Sequence, residues 1–460
     1  MPYLSVVRIG ATQKKTDPAL NFPKKISSFL PIVFGTLTFL ARFPAQGGED
    51  IGNARKNIYS QDPTDFWGGV SSIVYGHFPT IAVINWETLL IACQIAVGTF
   101  SLSILMRRAK SQSTKAIIWQ LLLAYISILF CSQGTRDGLQ FTLLLAGFTI
   151  GLQLINLSKP IVKKIICLTI IIAGTSLRPW LGIALVPLVI YMLRMWSIAN
   201  HSKISFKKIT AVTILVAITP LGIEIGATRA QDLTPSYPQQ QVMIMDSAAT
   251  YCWGINEASA ERALASLKLF TSDPEIGQKI CQFFRADTWL SLTKSSQPSN
   301  SSLSTDFWLI KAGDEVKYHQ LQSLWIQNIF KDPITYIQNK SFFFIKLAIA
   351  SEMRNIHLLN SDDWFSFVQN MYIAIYDLVL ATHLLSLLFV WIGIYGYSVR
   401  RKNQNPQRDL NLILLVVYSV LWGVLSSIAY IGSNGRYTYT ASLLVLILLT
   451  FKEKIIKDSQ

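Results

Sequence analysis

The chain has 460 residues, of which 51% are apolar and only 15% charged, with a formal net charge of +15. That balance excludes an ordinary soluble protein of this length, which would carry more charge and divide into two or three domains. The basic excess needs no nucleic-acid partner either, because it is confined to particular loops.

Residues 1–27 are basic and predict a cytoplasmic N-terminal segment. Apolar stretches follow at approximately 28–44, 80–105, 116–132, 138–157, 165–178, 180–196, 209–227, 370–397, 410–432 and 438–452. Lys and Arg collect in every second gap, as in Arg107, Arg108, Lys110 and Lys115, or Arg400, Arg401, Lys402 and Arg408. Short basic loops stay on the cytoplasmic side of a membrane, so the alternation predicts topology and orientation together. On that topology the inner side holds 23 Lys+Arg against 4 Asp+Glu, leaving 18 against 22 elsewhere. The predicted fold class is an all-α integral membrane protein with about ten transmembrane helices, both termini cytoplasmic. An N-terminal transmembrane module over 28–227 and a C-terminal one over 370–460 flank a large extracytoplasmic helical insert, 228–369. The fifth and sixth spans, split only at Ser176–Trp180, would also read as one broken helix. The long basic lead, and Ala41-Arg42-Phe43 in place of a small-x-small cleavage site, predict a retained first helix rather than a signal peptide.

The first outer segment, 45–79, is acidic at Glu49 and Asp50 behind Gly47-Gly48. Its Phe66–Phe78 stretch, aromatic and nearly uncharged, suits a helix lying in the interface plane. In the insert, helical periodicity runs over Glu257–Phe270 and Tyr318–Phe330, a loop is predicted at Ser295–Ser304, and Phe342-Phe343-Phe344-Ile345 is too short to span. Cys93, Cys131 and Cys167 fall in apolar spans, where a thiol behaves as a small hydrophobe. Cys252 and Cys281 share the insert, where both a disulfide and two free thiols are open readings.

Three arginines arrive at the outer face in short turns: Arg136 beside Asp137, Arg178 before Pro179, and Arg436 before Tyr437 at the last span. One such arginine is a snorkelling cation among headgroups; three in separate turns favour an anion site that takes phosphate or pyrophosphate of a lipid. Glu49 and Asp50 are ordinary solvated acids on one reading and a general base or ligands of a divalent cation (Mg or Mn) on the other. Glu87 and Asp377 lie inside apolar spans, where acids serve either structure or a functional cavity. His383, alone in a span, reads as structural.

The arrangement resembles the membrane glycosyltransferases of the GT-C fold, and several local patterns are similar to bacterial members. These are Gly76-His77-Phe78-Pro79, Thr135-Arg136-Asp137-Gly138, Leu177-Arg178-Pro179, Gly435-Arg436-Tyr437, and Trp325-Ile326 with Asp332-Pro333-Ile334-Thr335-Tyr336-Ile337 and Lys340. The resemblance implies a polyprenyl-phosphate-linked sugar as donor, a glycan or lipid-linked acceptor, and inverting transfer on the outer face of a bacterial plasma membrane. It also implies a first-loop acid as base, Asp50 with Glu49 supporting it or binding a cation. Arg178 and Arg436, with Arg136, would hold the donor phosphate, supported by Asp137, Tyr437 and Glu87. A polysaccharide polymerase or ligase shares these features. A secondary transporter would show internal repeats and mid-membrane charges, of which only Glu87 and Asp377 are present.

Overall fold

A computed structural model describes residues 24–42, 49–65, 68–80, 84–108, 114–153, 161–199, 205–254, 256–270, 276–284, 310, 313–349, 406–429 and 436–451. Among them the chain is mostly helical, with no strand beyond an isolated bridge between Thr64 and Thr234. The helices are α1 (Lys24–Arg42), α2 (Glu49–Ile58), α3 (Gly69–Gly76), α4 (Trp86–Arg108), α5 (Thr114–Cys131), α6 (Arg136–Gln153) and α7 (Ile161–Ser176). After them come α8 (Gly182–Ala199), α9 (Phe206–Ala230), the insert helices α10 (Gln240–Trp253), α11 (Glu257–Leu267), α12 (Ile276–Phe283), α13 (Glu315–Lys331) and α14 (Pro333–Ile349), then α15 (Pro406–Ala429) and α16 (Arg436–Phe451). The expected span at 370–397, with Asp377 and His383, lies outside the described residues, as do Ser295–Ser304.

Among the described residues three helices are long and apolar enough to cross a membrane: Trp86–Arg107, Pro179–Ser197 and Phe206–Ala230. Apolar helices at Ser28–Arg42, Ile117–Cys131 and Ile413–Ser426 are shorter. Only 11% of the apolar window in α9 is covered by the rest of the protein. A helix apolar along most of its length and so little covered by protein is stable only where its surroundings are apolar too, so α9 marks a membrane protein. Pro31, Pro187 and Pro220 sit inside helices, which neighbouring helices in a bilayer tolerate far better than water does.

The fifth and sixth expected spans are two helices. Pro179 forces the residue before it out of the helical region, and Arg178 accordingly sits at φ −144°, ψ 76°. Beyond it α8 folds back antiparallel to α7, bringing the Met192 sulfur 3.7 Å from the Cys167 sulfur at the far end. Trp196 reaches across to donate to the Gly151 carbonyl of α6 at 2.7 Å. Cys131 and Cys167 are buried thiols, as expected, whereas Cys93 is exposed. The largest apolar core unites α4 to α8 with α15 and α16, and Trp422, Tyr418, Phe141 and Tyr191 are among its fully buried side chains.

The insert has its own core, built from Met243, Ile244 and Ala248 of α10 against Leu267, Phe270, Ile276, Ile280, Leu321 and Phe343. Both periodic stretches of the insert are helical, as α11 with a following 3₁₀ turn and as α13. Cys252 and Cys281 form a disulfide that staples α10 to α12. The first loop is stitched to the start of the insert: Asp65 accepts from the Ser236 backbone and hydroxyl, both at 2.7 Å, and Asp62 accepts from Thr234 at 3.0 Å.

Candidate functional site

Glu87, Arg136, Asp137 and Arg178 lie at the end of the bundle that adjoins the first loop. Glu49 and Asp50 open α2, where carboxylates are favoured by the unpaired N–H groups of a first turn. Their side chains, and those of Arg436 and Tyr437, lie outside the described residues. Ile51 and Ala54 are fully buried against Tyr75, Leu90 of α4, Leu139 of α6 and Leu177 at the end of α7. A small apolar cluster therefore draws the acidic helix to the turns that carry Arg136, Asp137 and Arg178.

Glu87 begins α4 and faces α2. A Cβ on Gly52 would stand 3.8 Å from the Glu87 Oε1, and position 49 lies one turn before Gly52 on the same helix face. The intramembrane acid of the sequence reading thus belongs to the end of a helix, beside the acidic loop.

The Thr135-Arg136-Asp137-Gly138 motif has a local structural logic. Thr135 caps α6, its hydroxyl accepting from the Gly138 N–H at 3.2 Å. A Cβ at Gly138 would lie 2.5 Å from the Gln133 carbonyl, so the tight turn into α6 requires glycine there. This geometry sends Asp137 inward, where it meets Arg178 from the next helical hairpin. Arg178 Nε donates to Asp137 Oδ1 at 2.8 Å and its second nitrogen to Oδ2 at 3.1 Å. Both side chains are 3% exposed. Sequence reasoning gave Arg178 to an anion site for the donor phosphate and set Asp137 beside Arg136; adjacent helical residues diverge, and the carboxylate instead takes the fork of Arg178. Arg136 is half-buried and lies within electrostatic reach of Glu224 on α9.

Glu224 was not singled out in the sequence. It accepts from two backbone N–H groups at the start of α3, Gly69 at 2.5 Å and Val70 at 3.1 Å. Gly68 is left-handed at φ 84°, and a Cβ on Gly69 would come within 2.4 Å of the Thr228 nitrogen, so the two glycines permit this close approach. At the other end of α3, Arg55 of α2 donates to the Phe78 carbonyl at 3.1 Å and to Thr80 at 3.2 Å while stacking over Trp86 at 4.6 Å. Tyr59 adds a bond to the Gly76 carbonyl at 2.8 Å. An anion at its N-terminus and a cation at its C-terminus both complement the α3 dipole. The expected helix within Phe66–Phe78 is therefore a strut between α2 and α9.

A second charged centre lies in the insert. Asp246, buried in α10, pairs with Lys340 of α14 at 2.7 Å and accepts from the Trp325 indole at 3.0 Å. Burial pushes the Asp246 carboxyl up, and the Lys340 ammonium pulls the other way. Lys340 also lies 5.5 Å from the Tyr336 ring, whose phenol is pushed up by burial and by Asp246. The cavity beside them, about 10 Å³ and lined by Asp246, Ser247, Asn328 and Asp332, has room for about one water. The signal was an acid amid the apolar residues of α10, together with Trp325, Asp332, Tyr336 and Lys340, which the family-like pattern already contained.

Among the described residues no three His, Cys, Asp or Glu side chains gather as a metal site. The expected divalent-cation position, Glu49 or Asp50, lies outside that set. Comparison with protein-family models, with characterised proteins and with solved structures finds no match for this chain.

Proposed function

We propose that the protein is a multi-pass membrane glycosyltransferase of the GT-C kind. It would move a sugar from a polyprenyl-phosphate donor to a glycan or lipid-linked acceptor on the extracytoplasmic face of a bacterial plasma membrane. The observation that carries this reading is the gathering at one end of the bundle: acidic α2, Glu87, Arg136 and the Asp137–Arg178 pair, with the first loop bonded to the start of a disulfide-closed insert. A disulfide in the insert suits an oxidising exterior, and the basic loops put the opposite end in the cytoplasm. Ten crossings with both termini inside complete the topology.

In this reading Asp50, supported by Glu49, takes the proton from an acceptor hydroxyl. The oxygen forms a bond to the anomeric carbon as the bond to the phosphate oxygen breaks, inverting that carbon and releasing polyprenyl phosphate. Arg436 and Arg136 would stabilise the charge growing on the phosphate. Arg178 already shares its fork with Asp137, which suits it to holding the turn beside them.

Mass spectrometry of lipid-linked and surface glycans tests the reading, in cells lacking the gene and complemented with wild type or Asp50→Asn. Loss of one defined sugar, restored by wild type alone, is expected. A collapse of chain length at constant sugar composition would instead indicate a polymerase, and an unchanged profile would remove both enzymatic readings.

A further inference from the structure

The insert is polar over much of its surface, yet the elbow between α13 and α14 is not. Phe330 is 81% exposed at the end of α13, and Ile334 (68%) and Ile337 (61%) stand three residues apart on one side of α14, just beyond the elbow. Bulky apolar side chains grouped in this way mark a contact surface rather than chance exposure. Two observations identify its partner. The first is continuity. The next helix turn after Ile337 carries Lys340, whose ammonium reaches the Ile428 carbonyl at 3.4 Å near the end of α15. On α15, Val417, Val420, Val424 and Ile428 are all exposed, the spacing of an outward apolar stripe on a helix that belongs to the membrane core. The end of α15 and the middle of α14 therefore meet at the Lys340–Ile428 contact, one turn beyond Ile337. The second is charge. Lys331 follows Phe330 directly at the elbow and is exposed, the pairing of apolar wedge and basic residue that suits anionic headgroups.

We infer that the α13–α14 elbow rests in the outer leaflet of the bilayer, with Phe330, Ile334 and Ile337 among the upper acyl chains and Lys331 at headgroup depth. The insert is then held at both sides, by its own chain connections to the bundle and by lipid beneath the elbow. Its partner is the lipid surface itself, and the inference rests on the protein being embedded in a membrane, independently of what it catalyses.

A nitroxide reports this directly. Phe330→Cys is made in a Cys93→Ser background, spin-labelled, and reconstituted in nanodiscs of phosphatidylcholine and phosphatidylglycerol. Ile218→Cys on α9, 59% exposed at the native isoleucine, provides the in-lipid reference. Oxygen concentrates in acyl chains and a polar nickel chelate stays in water. At position 330 the collision rate with oxygen is expected to exceed that with the chelate by several-fold, in the same direction as at position 218. Chelate collisions dominating would place the elbow in water and overturn the inference. Low collision with both, with dipolar broadening between labels, would overturn it in favour of a second copy; without broadening, in favour of cover by the protein's own chain. Ile334→Cys repeats the measurement where a label at 330 disturbs folding.

Discussion

Removing either member of the Asp137–Arg178 pair should destabilise the bundle far more than removing both would suggest by addition. The two groups form two hydrogen bonds at 2.8 and 3.1 Å, and each side chain is 3% exposed. Asp137→Asn strands a guanidinium, and Arg178→Met strands a carboxylate, in a place water does not reach. Breaking a buried pair from one side costs about 3–5 kcal/mol, roughly two to three and a half orders of magnitude in the folding equilibrium. Once one charge has gone, the other is a liability, so deleting it adds little further loss. The double variant should therefore sit near either single one, with a coupling of at least about 2 kcal/mol. Reversible unfolding of the purified protein from mixed micelles with dodecyl sulfate, followed by tryptophan fluorescence, measures all four corners of the cycle. Arg178→Lys should fall between, since it keeps the charge and loses the planar fork. Additive single variants, agreeing within about 0.5 kcal/mol, would refute the pairing and leave the Arg178 fork open to an anion.

Other perturbations follow from the same geometry. Glu224→Gln exchanges charge-assisted bonds for neutral ones, a loss of about 1 kcal/mol, and should speed amide exchange at Gly69 and Val70 several-fold in mass-spectrometric exchange experiments. Cys281→Ser opens a loop with a sequence separation of 29 and should cost the insert about 3–4 kcal/mol, read as a lower melting temperature that reductant reproduces in the wild type. Asp332 caps α14 through the Thr335 N–H, and the Ser259 hydroxyl first, then Thr335 and Arg262, hold its carboxyl below the ordinary value. A lowered carboxyl stabilises the fold above the unfolded-chain value and loses that contribution as pH falls through the folded one. Melting of the insert should therefore drop below about pH 4 in the wild type and flatten there in Asp332→Asn.

Helices were legible because their signals are local. Apolar length and basic punctuation anticipated nine of the ten proposed spans as helices, and Leu177-Arg178-Pro179 carried the break that makes two helices of the fifth and sixth. Length was read less well: among the described residues three helices meet the length and apolarity of a crossing, while others fall short, such as α7 with 16 residues. At the site, the sequence marked Asp137 and Arg178 as neighbours of other groups, whereas their partnership spans 41 residues and depends on how α6 packs on α7. Glu224 was invisible for a related reason. An acid near the end of an apolar helix looks like an interface residue until the start of α3, 155 residues earlier, is seen against it.

That long reach has a consequence for biogenesis. The strut α3 is made early, yet the carboxylate that secures its leading end is still 155 residues from synthesis. At about 5–20 residues per second, the ribosome needs roughly 8–30 s to produce it. Through that interval α2 and α3 emerge with Arg55 and Tyr59 already available and the opposite anchor missing. The acidic first loop therefore acquires its final geometry only after α9 has entered the membrane, which makes insertion of that apolar helix the timing step for assembling the site.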